Sequence, residues 1–126
     1  MIQATEVFVA ITAVVVGLSH LLRPQDWTNV YAALSRAGRS GAFANGAFHL
    51  FAGAVIVAGH WVWTWPELVL TILGCLLVLK GSVCFLMPDV ALRSMSLARE
   101  PSRFRIAGIM ALAIGAWAIY CLVHRQ

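Results

Sequence analysis

The chain has 126 residues, of which 61% are hydrophobic and 11% charged, and its formal net charge is +4. A soluble domain carries roughly 45–50% apolar and about 25% charged residues, so five acidic and nine basic side chains cannot form a polar shell around a core. The composition excludes a water-soluble globule and indicates a membrane protein whose main partner is the lipid bilayer.

Four apolar runs each approach the ~20 residues that a helix needs to cross a bilayer. They are Ile2–Leu22, Ala42–Trp63, Pro66–Met87 and Ile106–Val123. The runs are continuously apolar, unlike the alternating strands of membrane barrels. We therefore predict an all-α polytopic four-helix bundle, built by residues 1–126 as a single membrane domain.

The first and third links between these runs each begin with a proline, Pro24 and Pro88. Proline suits the first position of a helix because its missing N–H would have no partner there. In the first link, apolar side chains recur at the spacing of one helix face. They are Trp27, Val30, Tyr31 and Leu34. Residues 88–100 show a weaker version, so we predict two short helices lying in the membrane interface.

Basic residues are concentrated in the same two links. They are Arg23, Arg36 and Arg39 in the first, and Arg93, Arg99, Arg103 and Arg105 in the third. The middle link, residues 60–67, has three tryptophans and no Lys or Arg, which is typical of an outer aromatic belt. We predict an inner-membrane protein with cytoplasmic basic links and both termini on the outer side. Nucleic acid is not expected, because it requires a basic patch on a soluble face.

Glycines and prolines recur between the two halves of the chain. A shift of 64 residues places Gly17 on Gly81 and Pro24 on Pro88, and a shift of 62 places Gly46 on Gly108 and Gly53 on Gly115. We predict two pseudo-repeats, about residues 1–63 and 64–126. Because each unit crosses the membrane twice, both enter it in the same orientation, and the tandem is parallel.

Residues 76–123 resemble the short two-helix proteins of the YjeT-like family, whose first helix ends in a Gly before a proline-started link and a second Gly-containing helix. Lys80 stands where that family has an acidic residue. The first half, through the sequence from Gly17 to Pro24, and the four-helix plan are similar to DoxX-like membrane proteins, with His49 at an acidic position. These resemblances imply a helical inner-membrane protein and assign no catalytic residue.

Polar residues in the cytoplasmic half of the predicted spans form the candidate binding site. They are His20, Asn45, His49 and Lys80. One interpretation is a site for a small anion or a proton relay, in which Lys80 supplies a fixed charge and the histidines carry protons. In the alternative, Lys80 snorkels to the headgroups, His49 bonds a neighbouring carbonyl and His20 lies at the interface.

No catalytic residue, cofactor or metal site is predicted. Spacings that would bring zinc or haem ligands together locally are absent from the sequence. The acidic residues lie at helix ends or in links, so we expect no carboxylate within the membrane for acid–base chemistry. They are Glu6, Asp26, Glu67, Asp89 and Glu100.

Small residues at helical spacing are predicted to pack the helices closely. They are Gly46, Gly53, Gly108, Ala111, Gly115 and Ala118. From these faces and the Trp-rich edges we predict an accessory or scaffold protein that binds another membrane protein or forms a homo-oligomer. The alternative is an oligomeric small-solute or ion transporter with its polar site around Asn45, His49 and Lys80. An enzyme or a metal carrier ranks third.

Overall fold

The structure, a computed structural model, describes residues 1–97 and 100–125. It contains the helices α1 (Ile2–Leu22), α2 (Pro24–Arg36), α3 (Arg39–Gly59), α4 (Leu68–Leu86), α5 (Pro88–Leu97) and α6 (Pro101–His124). Four of them, α1, α3, α4 and α6, are long and apolar enough to cross a membrane. The predicted all-α membrane bundle with two additional short helices is confirmed. Arg99, one of the basic residues used to predict orientation, lies outside the described residues.

The helix bounds differ from the apolar runs where helix caps, and not hydropathy, set the end. The first run coincides with α1, whereas α6 begins at Pro101, five residues before the predicted start. Pro101 occupies the first turn of α6, a position where its fixed φ favours helix regardless of polarity. In the same way α3 ends at Gly59, so the tryptophans of the second run belong to the link.

The four long helices form two closely packed antiparallel pairs, α1 with α6 and α3 with α4. In the first pair, a Cβ added to Gly17 would lie 2.9 Å from the backbone oxygen of Gly108. In the second, a Cβ added to Gly46 would lie 3.1 Å from the backbone oxygen of Gly81. Helix backbones therefore touch at both crossings, and only glycine permits this approach.

The other residues considered for helix packing lie along the same two seams. Gly53 lies against the α4 backbone, and a Cβ at Gly115 would meet the Val14 side chain at 2.7 Å. Ala118 is fully buried, while Ala111 is partly buried. The small-residue faces are thus occupied within this chain.

The two pairs meet through a central core and through the short helices. The core contains buried residues from all four spans, including Val9, Ile56, Leu70 and Ala118. At the end that carries α2 and α5, a second cluster joins α5 to α3 and α4. Among the described residues, α4 and α6 make few contacts.

A tight turn folds α2 back onto α3. Gly38 adopts φ 69°, a left-handed conformation that other residues adopt only at a cost. Gly41 packs against the backbone of Leu34, which leaves no room for a side chain. These two glycines bring Tyr31 of α2 over the first turns of α3.

Candidate functional site

Five polar side chains meet where the Trp-rich link joins the ends of α1 and α6. We call them the Glu6 cluster: Glu6, His60, Glu67, Thr71 and Arg125. Glu6 Oε1 accepts a hydrogen bond from Arg125 Nη2 at 2.6 Å and lies 3.2 Å from His60 Nε2. Arg125 Nη2 also lies 3.2 Å from Glu67 Oε1. The cluster therefore ties α1, the Trp-rich link and the end of α6 together.

The centre of this cluster is shielded from solvent. The side chains of Glu6 and His60 are both 0% exposed, whereas that of Arg125 is 31% exposed. Glu6 Oε2 is buried and has no hydrogen-bond partner among the described residues. A buried carboxylate is costly unless it is paired, so the charges around Glu6 determine whether this arrangement is stable.

Thr71 holds the link against the start of α4. Its hydroxyl oxygen lies 2.7 Å from the carbonyl oxygen of Val62 and 3.0 Å from that of His60. The same oxygen lies 3.2 Å from the Val62 N–H nitrogen and 3.2 Å from His60 Nδ1. The imidazole of His60 is consequently fixed at both nitrogens.

Asn45 and His49, two of the residues predicted as a site, lie further from this cluster, in the first half and at the middle of α3. Asn45 is buried, accepts a hydrogen bond from the Tyr31 hydroxyl at 3.5 Å and donates to Cys84 Sγ at 3.9 Å. His49 donates its Nδ1–H to the Asn45 carbonyl at 2.8 Å. Burial, with a smaller contribution from Cys84, raises the pKa of Tyr31, so its hydroxyl is a donor at neutral pH.

Lys80 of α4 lies close to this group. It interacts electrostatically with His49 and with Cys84, yet the residue is exposed. Because Nδ1 of His49 donates to a carbonyl, its Nε2 remains available for a proton or a donor. We call Asn45, His49 and Lys80 the Lys80 site.

His20 does not join the Lys80 site. Its ring stacks on Trp27 with centroids 4.1 Å apart, and its Nδ1–H donates to the Val16 carbonyl at 2.8 Å. Phe104 lies beside both His20 and Tyr31, with ring centroids 6.0 Å from His20 and 5.2 Å from Tyr31. The structure thus brings together three of the four predicted residues.

The Glu6 cluster was missed by sequence reasoning. Glu6 was predicted to lie at a helix end, and its complete burial against His60 and Arg125 was not anticipated. A signal was present, because Glu6, Val9, Ala10 and Gly17 recur on one face of α1, and all are buried. No comparable signal pointed to Arg125, which meets Glu6 across 119 positions of sequence.

These two polar groups define the chemistry open to the chain. Both can bind protons, and the Lys80 site presents a positive charge to an anion. Within residues 1–97 and 100–125, no three His, Cys, Asp or Glu side chains are arranged to hold a metal ion. No protein-family model, curated protein or solved structure matches the chain, so function is inferred from the sites themselves.

Proposed function

We propose that this small membrane protein binds an anionic group, a carboxylate or a phosphate, at the Lys80 site as the recognition step of small-solute transport. The observation that carries the proposal is the position of Lys80, an exposed cation at the edge of the buried face of α4, close to His49.

The position of Lys80 follows from its neighbours on α4. Leu73 and Leu77 pack against the central core, and Cys84 is buried in the second cluster. Lys80 is three residues after Leu77 and four before Cys84, but it is also four residues after the exposed Leu76, so it lies at the edge of the buried face. On α3, His49 lies four residues after the buried Asn45.

A lysine in a membrane span costs several kcal/mol unless it meets water or a counter-charge. The acidic residues nearest to it in sequence, Glu67 and Asp89, are paired with Arg125 and Arg39. An external anion is therefore the natural counter-charge, and His49 Nε2 can contact it as a donor when the ring is protonated, or as an acceptor from a hydroxyl of the ligand.

We also propose that the two halves are a tandem duplication with approximate twofold symmetry. Supporting this, Gly46 lies against Gly81 as Gly108 lies against Gly17, and the backbones approach within similar distances. Under the same shifts, the three residues of the Lys80 site correspond to small or apolar ones. They are Ala107 for Asn45, Ala111 for His49 and Val16 for Lys80. The polar site then lies at the α3–α4 pair and has no polar counterpart at the α1–α6 pair, as expected for an added function.

For orientation, we propose an inner-membrane location with the basic links in the cytoplasm and both termini outside. The Lys80 site would then be reached from the cytoplasm, and the Glu6 cluster would face the outer side. The exposure of Trp61, Trp63 and Trp65 suits an interfacial aromatic belt at that outer side.

An accessory or scaffold role, as a homo-oligomer or in a complex with another membrane protein, is the second proposal. Its support is the aromatic surface of α3, where Phe48 and Phe51 are 79% and 69% exposed. The glycine and alanine faces are already occupied by helices of this chain. A partner would therefore have to use the aromatic surface.

The proposed anion site can be tested by ligand-dependent stability. The protein is reconstituted in nanodiscs of zwitterionic lipid, and its unfolding temperature is measured with added inorganic phosphate or succinate, or with phosphatidylglycerol in the disc. Binding to the folded state alone raises the unfolding temperature. We expect Lys80→Gln to weaken binding at least about tenfold, the equivalent of one charge-assisted hydrogen bond.

Arg36→Gln serves as the matched control, because it removes an exposed cation outside the Lys80 site. Stabilisation of wild type by the soluble anions identifies a solute site, whereas stabilisation only by phosphatidylglycerol identifies a headgroup site. If Lys80→Gln and Arg36→Gln respond to every anion as wild type does, the proposal is wrong.

A further inference from the structure

We infer that His60 is a buried imidazolium, and that the Glu6 cluster is a proton-binding site whose proton holds the two helix pairs together at the Trp-rich end. This inference is independent of the function proposed for the Lys80 site. It rests on the hydrogen-bond partners of the two ring nitrogens and on the balance of charge around Glu6.

The Thr71 hydroxyl fixes the role of His60 Nδ1. A hydroxyl donates one proton, and a carbonyl oxygen can only accept. The hydroxyl oxygen lies 2.7 Å from the Val62 carbonyl oxygen and 3.0 Å from the His60 carbonyl oxygen, so its one proton is directed to these carbonyls and not to Nδ1. The Thr71 oxygen is then an acceptor towards Nδ1 at 3.2 Å, and Nδ1 must carry a hydrogen.

The Glu6 carboxylate fixes the role of Nε2. Glu6 Oε1 accepts from the Arg125 guanidinium at 2.6 Å, a short distance typical of a charge-assisted bond to an ionised oxygen. The same oxygen lies 3.2 Å from His60 Nε2, so Nε2 also donates. An imidazole with hydrogens on both nitrogens is positively charged.

The charges of the cluster support the same protonation state. Glu6 from α1 and Glu67 from the link are negative, and Arg125 from the end of α6 is positive. With a neutral His60 the cluster would carry one net negative charge around a buried carboxylate, whereas with the imidazolium it is neutral. On the remaining neighbouring surfaces, α4 contributes the uncharged Thr71 and α6 the thiol of Cys121, which interacts with Glu6.

The proton has a mechanical consequence because of where the cluster lies. Glu6 and Arg125 belong to the α1–α6 pair, whereas His60 and Thr71 belong to the α3–α4 pair and its link. The Glu6–His60 contact is therefore a link between the pairs. Loss of the proton would leave Glu6 with Arg125 as its only donor and remove the charge attraction between the pairs.

Nitrogen-15 NMR of the histidine side chains in the intact protein tests the inference directly. The protein is labelled on histidine and held in nanodiscs at neutral and at mildly alkaline pH. Each of His20, His49 and His124 donates one ring N–H to a backbone carbonyl and serves as an internal reference. We expect His60 to show two protonated ring nitrogens at neutral pH. A neutral His60 in the wild-type protein at neutral pH would overturn the inference.

The Glu6→Gln variant provides a second test. Removing the carboxylate removes the charge that retains the proton, so we expect a neutral His60. Since a proton held in the folded state and released on unfolding makes stability fall as pH rises, the wild-type unfolding constant should increase up to about tenfold per pH unit over the range in which the folded protein keeps this proton and the unfolded chain has released it. His60→Asn should abolish this slope, and an unchanged slope in His60→Asn would contradict the proposed role.

Discussion

Replacing Arg125 by alanine should destabilise the folded protein, because it removes one of two donors from a fully buried carboxylate. Breaking a buried ion pair by deleting one partner costs about 3–5 kcal/mol. Here His60 Nε2 remains 3.2 Å from Glu6 Oε1, and the Arg125 side chain is 31% exposed. Both features favour the lower limit, so we expect a loss of about 3 kcal/mol.

Combining Arg125→Ala with Glu6→Gln in a double-mutant cycle separates the loss of the Glu6–Arg125 ion pair from other effects of the Arg125 substitution on stability. Without the Glu6 charge, Arg125 retains only its pair with the largely shielded Glu67 at the membrane edge, which is worth about 1 kcal/mol or less. The two substitutions should therefore be non-additive by about 2 kcal/mol, or about 30-fold in the unfolding constant. Unfolding is titrated with SDS in mixed micelles and followed by tryptophan fluorescence. Additive losses would refute the reading of Glu6 and Arg125 as a coupled buried pair.

Two further predictions concern helix packing and orientation. Gly81→Leu should lower the free energy of unfolding by about 1–3 kcal/mol, because a Cβ there would lie 2.5 Å from the Leu50 backbone nitrogen. The control is Ala54→Leu, at an exposed position of the facing helix α3. Equal SDS-unfolding midpoints for the two variants would contradict the close packing at Gly81. The orientation is tested with single cysteines, Thr64→Cys and Ser40→Cys, each introduced into a variant without native cysteines. A membrane-impermeant maleimide added to intact spheroplasts should label Thr64→Cys, whereas Ser40→Cys should be labelled only after lysis. Labelling of both from outside would contradict a cytoplasmic location of the first basic link.

The fold could be predicted from sequence because each long helix carries its own signal. A span needs about twenty apolar residues in succession, and this requirement acts on neighbouring positions. The length of the apolar run predicted α1 at its observed bounds. The run did not predict the start of α6, where Pro101 and polar first-turn residues extend the helix beyond the apolar residues.

The sites were predicted less well, because they depend on which faces of distant helices meet. Asn45 and His49 lie one turn apart on α3, so their proximity follows from helix geometry alone. His20 was grouped with them by depth, but depth does not specify the azimuth of a side chain around its helix. Glu6 and Arg125 lie at opposite ends of the chain, and only the antiparallel α1–α6 pairing brings them together.

The pairing of the first helix with the last also governs how the chain can assemble. The α3–α4 hairpin joins neighbouring segments and can close as soon as both are inserted, at a small entropic cost. Helix α1 has to remain in the bilayer without its main partner until α6 has been synthesised, because α2 to α5 lie between them in the chain and synthesis proceeds from the amino terminus. Truncation before α6 would therefore leave α1 without its main packing partner.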